Sequence, residues 1–463
     1  MDTDREAAAG EQERIVLSPS QVAAPNATWR ERIARTGVAG IALWGFAVRV
    51  AAIFLMHTYR IRTSEDNFGF GFETGRIARS IAMGQGFSSP FHGITGPTAW
   101  EAPLYCYVVA GAFRLAGIYT RLSAALLLTF NSFFSALTVV PVYLIAEKVF
   151  GPRVARWAAW MWALLPYAMN WAVRWMWETS LTAFLLTTVF WLGLEIGEAH
   201  GRRLKMLWAG FGLLWGVTAL TNPSCLTFLP FAGGWACYRL WRQGRPWFLM
   251  AAAAALLFFA VITPWEVRNY RLFHQFIPIR GNGGAELRLG NGPGAVGLWM
   301  LELHPTRNVL QLQAYREMGE VAYVKMRRQE AVGWMHAHPG RSAVLSLKKA
   351  IYFWAGVPNP SANWLLVQGK NSIVLAWAVL AWWGVGRMIR LRKPAAFLFG
   401  TLLMVYPAIY YITYSQLRYR HPIEPVMLIL AVYVISEARE LHEPAPSAAS
   451  AADSKATLSQ VPP

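Results

Sequence analysis

The chain has 463 residues, is 55% hydrophobic with 23 Trp, and carries a formal net charge of +18. Mean hydropathy is +0.30, and repeated apolar runs near the bilayer span exclude an ordinary soluble domain and define a polytopic α-helical membrane protein. No basic stripe sits on a soluble domain, so nucleic acid is set aside in favour of basic cytoplasmic loops or contacts to phosphates and anionic head groups. The three cysteines, Cys106, Cys225 and Cys237, have neither metal-ligand nor disulfide-framework spacing.

Residues 1–36 read as a disordered cytoplasmic tail ending in the basic WRERIAR. The first apolar run begins near Gly37, too late for a cleavable signal peptide, and is expected to remain as the first span. Spans are expected at 37–57, 121–147, 154–170, 178–197, 206–220, 224–240, 246–264, 371–389, 395–413 and 421–438. Arg49 falls inside the first; an intramembrane arginine either serves function or pairs within the bundle. The run 103–117 is short and reads as a juxtamembrane helix. With it lying flat, the short basic loops at 147–156, 201–205, 239–245 and 387–393 all fall on the cytoplasmic side, as do both termini.

The N-terminal membrane module is thus 37–264, with an extracytoplasmic first loop at 58–120. The segment 265–370 is too long for a connection and is expected to form an extracytoplasmic lid, helical near 309–337. Its amphipathic stretch 338–356, with Lys348 and Lys349, is expected to lie on the membrane surface. The C-terminal spans occupy 371–438, and 439–463 reads as a second disordered cytoplasmic tail.

Only 15% of residues are charged, yet the first loop holds Glu65, Asp66, Glu73 and Glu101. Glu178 stands where the fourth span re-enters the membrane, and this topology puts Arg268, Arg271, Arg418, Arg420 and His421 on the same outer rim. A carboxylate takes a proton from a hydroxyl, and arginine forks grip phosphate oxygens. Each also has a plainer use: Glu73 at a helix N-terminus, Glu178 paired with Arg174 one turn away, the arginines anchored to head groups. His274, His304, His336 and His338 have no metal spacing and are taken as structural.

Several motifs occur in a telling order. ETGRIARSIAMGQGF is followed by TGPTAWEAPLY, KVFGPRVARWAAW, WMWETS, ALTNPS, TPWEVRNYRLF, NGGAELRLGN and LRYRHPIEPVMLIL. This order resembles the C-type membrane glycosyltransferases, closest to the protein O-mannosyltransferase and lipid A aminoarabinose transferase branch, glycosyltransferase family 39-like. The resemblance implies inverting transfer of a sugar from a polyprenyl-phosphate donor to an acceptor hydroxyl or phosphate, on lipid or protein, at the extracytoplasmic face. It implies a first-loop acid as base, Glu73 or Asp66, with Glu101 and Glu178 assisting. It implies phosphate-binding Arg268, Arg271, Arg418, Arg420 and His421. Glu101 matches the acid of a Glu-Lys-Pro motif in which Ala102 replaces the lysine. No ligand spacing demands a metal, although the acids leave room for a divalent cation. The competing reading is a transporter or flippase of a lipid-linked sugar.

Overall fold

Proline decides where the apolar runs break. The computed structural model describes residues 37–62, 64, 67–359 and 363–440; Glu65, Asp66 and nearly all of the two expected tails lie outside them. Seven stretches among the described residues are long and apolar enough to cross a membrane: Val38–Leu55, Arg121–Phe150, Thr179–Ile196, Gly201–Thr221, Phe248–Phe273, Trp364–Arg390 and Leu417–Ala438. The protein is an all-α, polytopic membrane bundle, as the composition requires.

In chain order the helices are α1 (Val38–Leu55), α2 (Phe72–Ala82), α3 (Pro103–Ala116), α4 (Arg121–Leu137), α5 (Val139–Phe150), α6 (Pro152–Leu164), α7 (Pro166–Arg174), α8 (Thr179–Ile196) and α9 (Gly201–Thr221). There follow α10 (Leu229–Arg242), α11 (Phe248–Phe273), α12 (Gly283–Gly290), α13 (Val309–Met318), α14 (Glu320–Ala337), α15 (Pro339–Ala355), α16 (Trp364–Arg390), α17 (Ala396–Val405), α18 (Ala408–Ile412) and α19 (Glu424–Glu440).

Three expected spans emerge as shorter, interrupted helices. The run 154–170 breaks between α6 and α7 at Pro166, 224–240 opens with a 3-10 turn at Pro223–Thr227, and 395–413 breaks before Pro407. A proline lacks the N–H that would close the preceding turn and biases the residue before it away from helix; Leu165, before Pro166, is extended. The fourteen-residue α3 rises about 21 Å, short of the hydrocarbon core, and packs along α2.

Arg49 repairs the break at Pro166. Its side chain is fully buried. It donates to the carbonyls of Trp162 (3.0 Å) and Ala163 (2.6 Å), to Gly45 O one turn back (2.9 Å) and to Ser135 Oγ (3.1 Å). Pro166 cannot donate to Trp162, so the guanidinium supplies the missing hydrogen, and three helices (α1, α4 and α6) are tied at one point. Arg49→Met leaves the carbonyls of Trp162 and Ala163 without donors in an apolar interior, at about 1–3 kcal/mol each. A drop of thermal unfolding temperature in detergent, not rescued by Arg49→Lys with its single ammonium, is the expected result. Unchanged melting in the Met variant would show that the staple is idle.

One end of the bundle gathers the basic loops. Lys148 pairs with Glu195 and Glu198 (3.1 and 2.6 Å), Gln243 donates to Gly197 O (2.9 Å), and Lys393 donates to Val149 O (3.3 Å). The opposite end carries the first loop and α12 to α15. In α15 Lys348 is exposed, while Lys349 is buried and donates to Asn291 Oδ1 (2.7 Å) and Ile412 O (3.0 Å). These bonds, and a close approach in which a Cβ on Gly290 would clash with Thr413 O, hold α12 against the segment leading to Arg418.

Candidate active site

The loop between α2 and α3 is a scaffold for one carboxylate. Ser88 and Pro97 form an antiparallel bridge, and Glu320, at the start of α14, ties the returning limb. Glu320 accepts hydrogen bonds from the Thr98 hydroxyl, Ala99 N (2.7 Å) and Tyr315 Oη (2.7 Å). Arg268 clamps the same loop through Thr98 O (2.6 Å) and Phe87 O (2.8 Å). Trp100, fully buried, then fixes the direction of Glu101.

Glu73 lies in the first turn of α2. Its Oε1 accepts from Thr306 Oγ1 at 2.7 Å and faces His304 Nδ1 at 3.6 Å, while Arg76 reaches the same threonine at 3.2 Å. Glu178 stands at the N-cap of α8 without a side-chain capping bond. Arg174 is exposed and makes no ion pair with it among the described residues. From the 280s, Arg280 donates to Glu101 Oε1 (3.1 Å), Glu286 Oε1 (3.2 Å) and Trp100 O (2.9 Å).

These groups share one cavity of about 350 Å³, lined among others by Glu73, Glu101, Glu178, Arg280, Glu286, His304 and Arg418. Arg418 lies in the 3-10 turn Leu417–Ile423. Its guanidinium packs over the rings of Trp177 (4.7 Å) and Tyr419 (5.0 Å) and reaches Tyr419 Oη at 3.4 Å. It has no carboxylate partner among the described residues, and its buried Nε has no acceptor there. The cavity therefore holds a cation on an aromatic floor, facing carboxylates contributed by the first loop and α8.

Burial alone would raise the Glu73 carboxyl, but His304, Arg76 and the Thr306 hydroxyl outweigh it and hold its pKa below the ordinary value. Glu101 goes the other way. Burial, with help from Glu73, Glu178 and Glu286, overcomes Arg280 and pushes it to about 8. Two acids of one cavity thus titrate far apart, as groups of differing role do. Burial lowers the His304 pKa, although Glu73 beside it pulls the other way.

Glu101 binds its proton more tightly folded than unfolded. Its contribution to stability is fully present below the ordinary 4.5 and is lost as pH rises through about 8. Glu101→Gln is expected to flatten that part of the melting-temperature profile and to be the more stable protein at about pH 9. Parallel profiles for the two proteins would refute the assignment.

The structure brings Glu73, Glu101, Glu178 and Arg418 together and leaves four expected residues elsewhere. Arg268 is spent on loop carbonyls, as described. Arg271 is exposed on the last turn of α11. Arg420 turns away to Glu424 Oε1 (3.0 Å) and Val374 O (2.9 Å). His421 bonds Glu424 Oε2 (3.0 Å) and stacks on Trp162. Asp66 lies outside the described residues. Arg280, Glu286 and His304 were not expected; His304 had been assigned to structure, and the only local signal for the other two is the Gly-Asn turn opening a short acidic helix.

The bundle is all-α, and its first loop and last span meet in a polar cavity at one end. The structure is similar to that of the Archaeoglobus fulgidus oligosaccharyltransferase in the apo form, with a TM-score of 0.52 and 14% identity over 89% of this chain and 51% of that one. It also matches oligosaccharyltransferase AglB from the same organism in complex with an inhibitory peptide and a dolichol-phosphate (TM-score 0.49, 16% identity, 87% and 52% covered). A further match is ArnT from Cupriavidus metallidurans bound to undecaprenyl phosphate (0.40, 14%, 86% and 78%). The chain spans about half the length of the archaeal structures, and at these identities the likeness is one of fold. No protein-family profile matches the sequence, and no curated protein matches it significantly.

Proposed function

We propose that the protein is a glycosyltransferase that moves a sugar from a polyprenyl-phosphate donor to an acceptor hydroxyl or phosphate on a lipid or protein, with inversion. The observation that carries this reading is Arg418, a cavity-lining guanidinium with no anionic partner among the described residues, set opposite Glu73 and Glu178. The acceptor oxygen attacks the anomeric carbon, and the bond from that carbon to the phosphate oxygen breaks with its electron pair. Arg418 receives the charge that develops on the leaving phosphate. Glu73, ionised at neutral pH, takes the acceptor's proton. Glu101, protonated below about pH 8, and Glu178 hold sugar hydroxyls. Asp66 remains a second candidate for the base.

The basic loops cluster at the other end of the spans, which supports a cytoplasmic placement for that end and an extracytoplasmic one for the cavity. Among the described residues no three His, Cys, Asp or Glu side chains are placed to share an ion. Transport would need a polar path between the ends, but the span interiors are filled by buried Trp162, Phe190, Trp215, Phe228 and Phe399. The test is incubation of purified protein with labelled polyprenyl-phosphate sugars and candidate acceptors. Release of polyprenyl phosphate with a new glycosidic bond is expected; movement of intact donor across vesicles without one would overturn the reading.

A further inference from the structure

The eighteen-residue α8 starts at the acidic cavity and rises about 27 Å to the basic end. There two adjoining depressions, of about 370 and 230 Å³, share Trp235, Arg239 and Pro394. They lie where the C-terminus of α10 meets the start of α17, whose Phe397 stacks on Trp235 with ring centres 5.8 Å apart. Arg239 packs over the Trp235 ring at 5.6 Å, and Arg242 projects from the same last turn. Neither arginine has an ion-pair partner among the described residues, unlike Lys148 next door, which is neutralised by Glu195 and Glu198. Lys393 closes the far side, its ammonium lying 5.5 Å from the Phe150 ring.

Arginines in the last turn of a helix complement its dipole, but that use does not require a groove between them and a lysine of another segment. Nor does it explain the exposed apolar side chains just beyond Arg242 in the chain and beside it on α10: Trp241, Phe248 and Leu249 are 61%, 66% and 80% exposed. Half-buried Arg239 and Lys393 with exposed Arg242 at a membrane interface, and exposed apolar side chains nearby in the chain, fit a phosphate on an acyl-chain body better than a free ion.

We infer that the groove between Arg239, Arg242 and Lys393 binds the phosphate of an anionic phospholipid, on the membrane face opposite the acidic cavity. Trp235 and Tyr238 line it, and the acyl chains run down the apolar flank beside α10. The site does not depend on the sugar-transfer reading and can hold whether or not that reading does.

The test is native mass spectrometry of the full chain released from detergent, titrated with phosphatidylglycerol, phosphatidylcholine or inorganic phosphate. Phosphatidylglycerol should be retained selectively. The Arg239→Gln/Arg242→Gln/Lys393→Gln variant should bind it roughly a hundredfold more weakly, and Arg242→Gln alone, changed at an exposed position, about fivefold. Equal retention of the two lipids overturns the inference, as does unaltered affinity in Arg242→Gln together with the triple variant. Inorganic phosphate binding as tightly as the lipid would make this an anion site only and overturns it as well.

Discussion

Arg418→Gln is expected to lower turnover by about 10²–10³-fold, the usual cost of removing a preorganised group that stabilises developing charge. The variant should melt near the wild-type temperature, because the guanidinium makes few bonds that folding needs: a long contact to Tyr419 Oη at 3.4 Å and two ring faces. Arg418→Lys should recover little, since an ammonium has neither the planar fork nor the stacking surface. Arg420→Gln is the informative contrast. That side chain holds Glu424 and Val374 O inside the bundle, so its loss should appear as lowered stability. Near wild-type turnover in Arg418→Gln would remove the phosphate from this end of the cavity.

Glu73→Gln is expected to cost about 10²–10⁴ in kcat, the range for loss of a positioned proton acceptor, with little change in KM. If Glu73 only supported the N-terminus of α2, the amide would cost about 0.3–1 kcal/mol of stability and leave kcat alone. A subtler version uses Thr306. Its hydroxyl is among the groups holding the Glu73 pKa below the ordinary value, so Thr306→Val should move the acidic limb of the pH–rate profile upward. An unmoved limb would assign that limb to another group, and the first-loop Asp66 becomes the leading candidate.

The acids were legible because they are anomalous: in a chain with so few charges, a carboxylate beside an apolar run needs a reason. The arginines were not separable in the same way. In LRYRHP all three basic residues look alike in sequence, but a 3-10 turn advances about 120° per residue. Arg418 and Arg420 therefore face different sides, one to the cavity and one to Glu424. His421 sits deeper still, against Trp162. Arg280 and His304 lie in a polar segment where a Gly-Asn turn beside Arg280 is the one local hint; the docking of α12 and the 3-10 turn Leu301–Leu303 near the first loop brings them in. The helix breaks were written in Pro166 and Pro407, but run length outweighed them in the expected spans.

The bond from Arg49 to Ala163 crosses 114 positions of sequence, and this has a consequence for biogenesis. The first span leaves the ribosome carrying an unmatched cation, which costs about 2.5–3.5 kcal/mol at mid-bilayer. At ordinary rates of synthesis its carbonyl partners follow on the order of ten seconds later. Until then the nascent segment has no acceptors from the later helices, and an insertase must hold it or let it slip. Stalled chains ending before Trp162 should therefore leave their first segment extractable by alkali, and chains ending well past α7 should not.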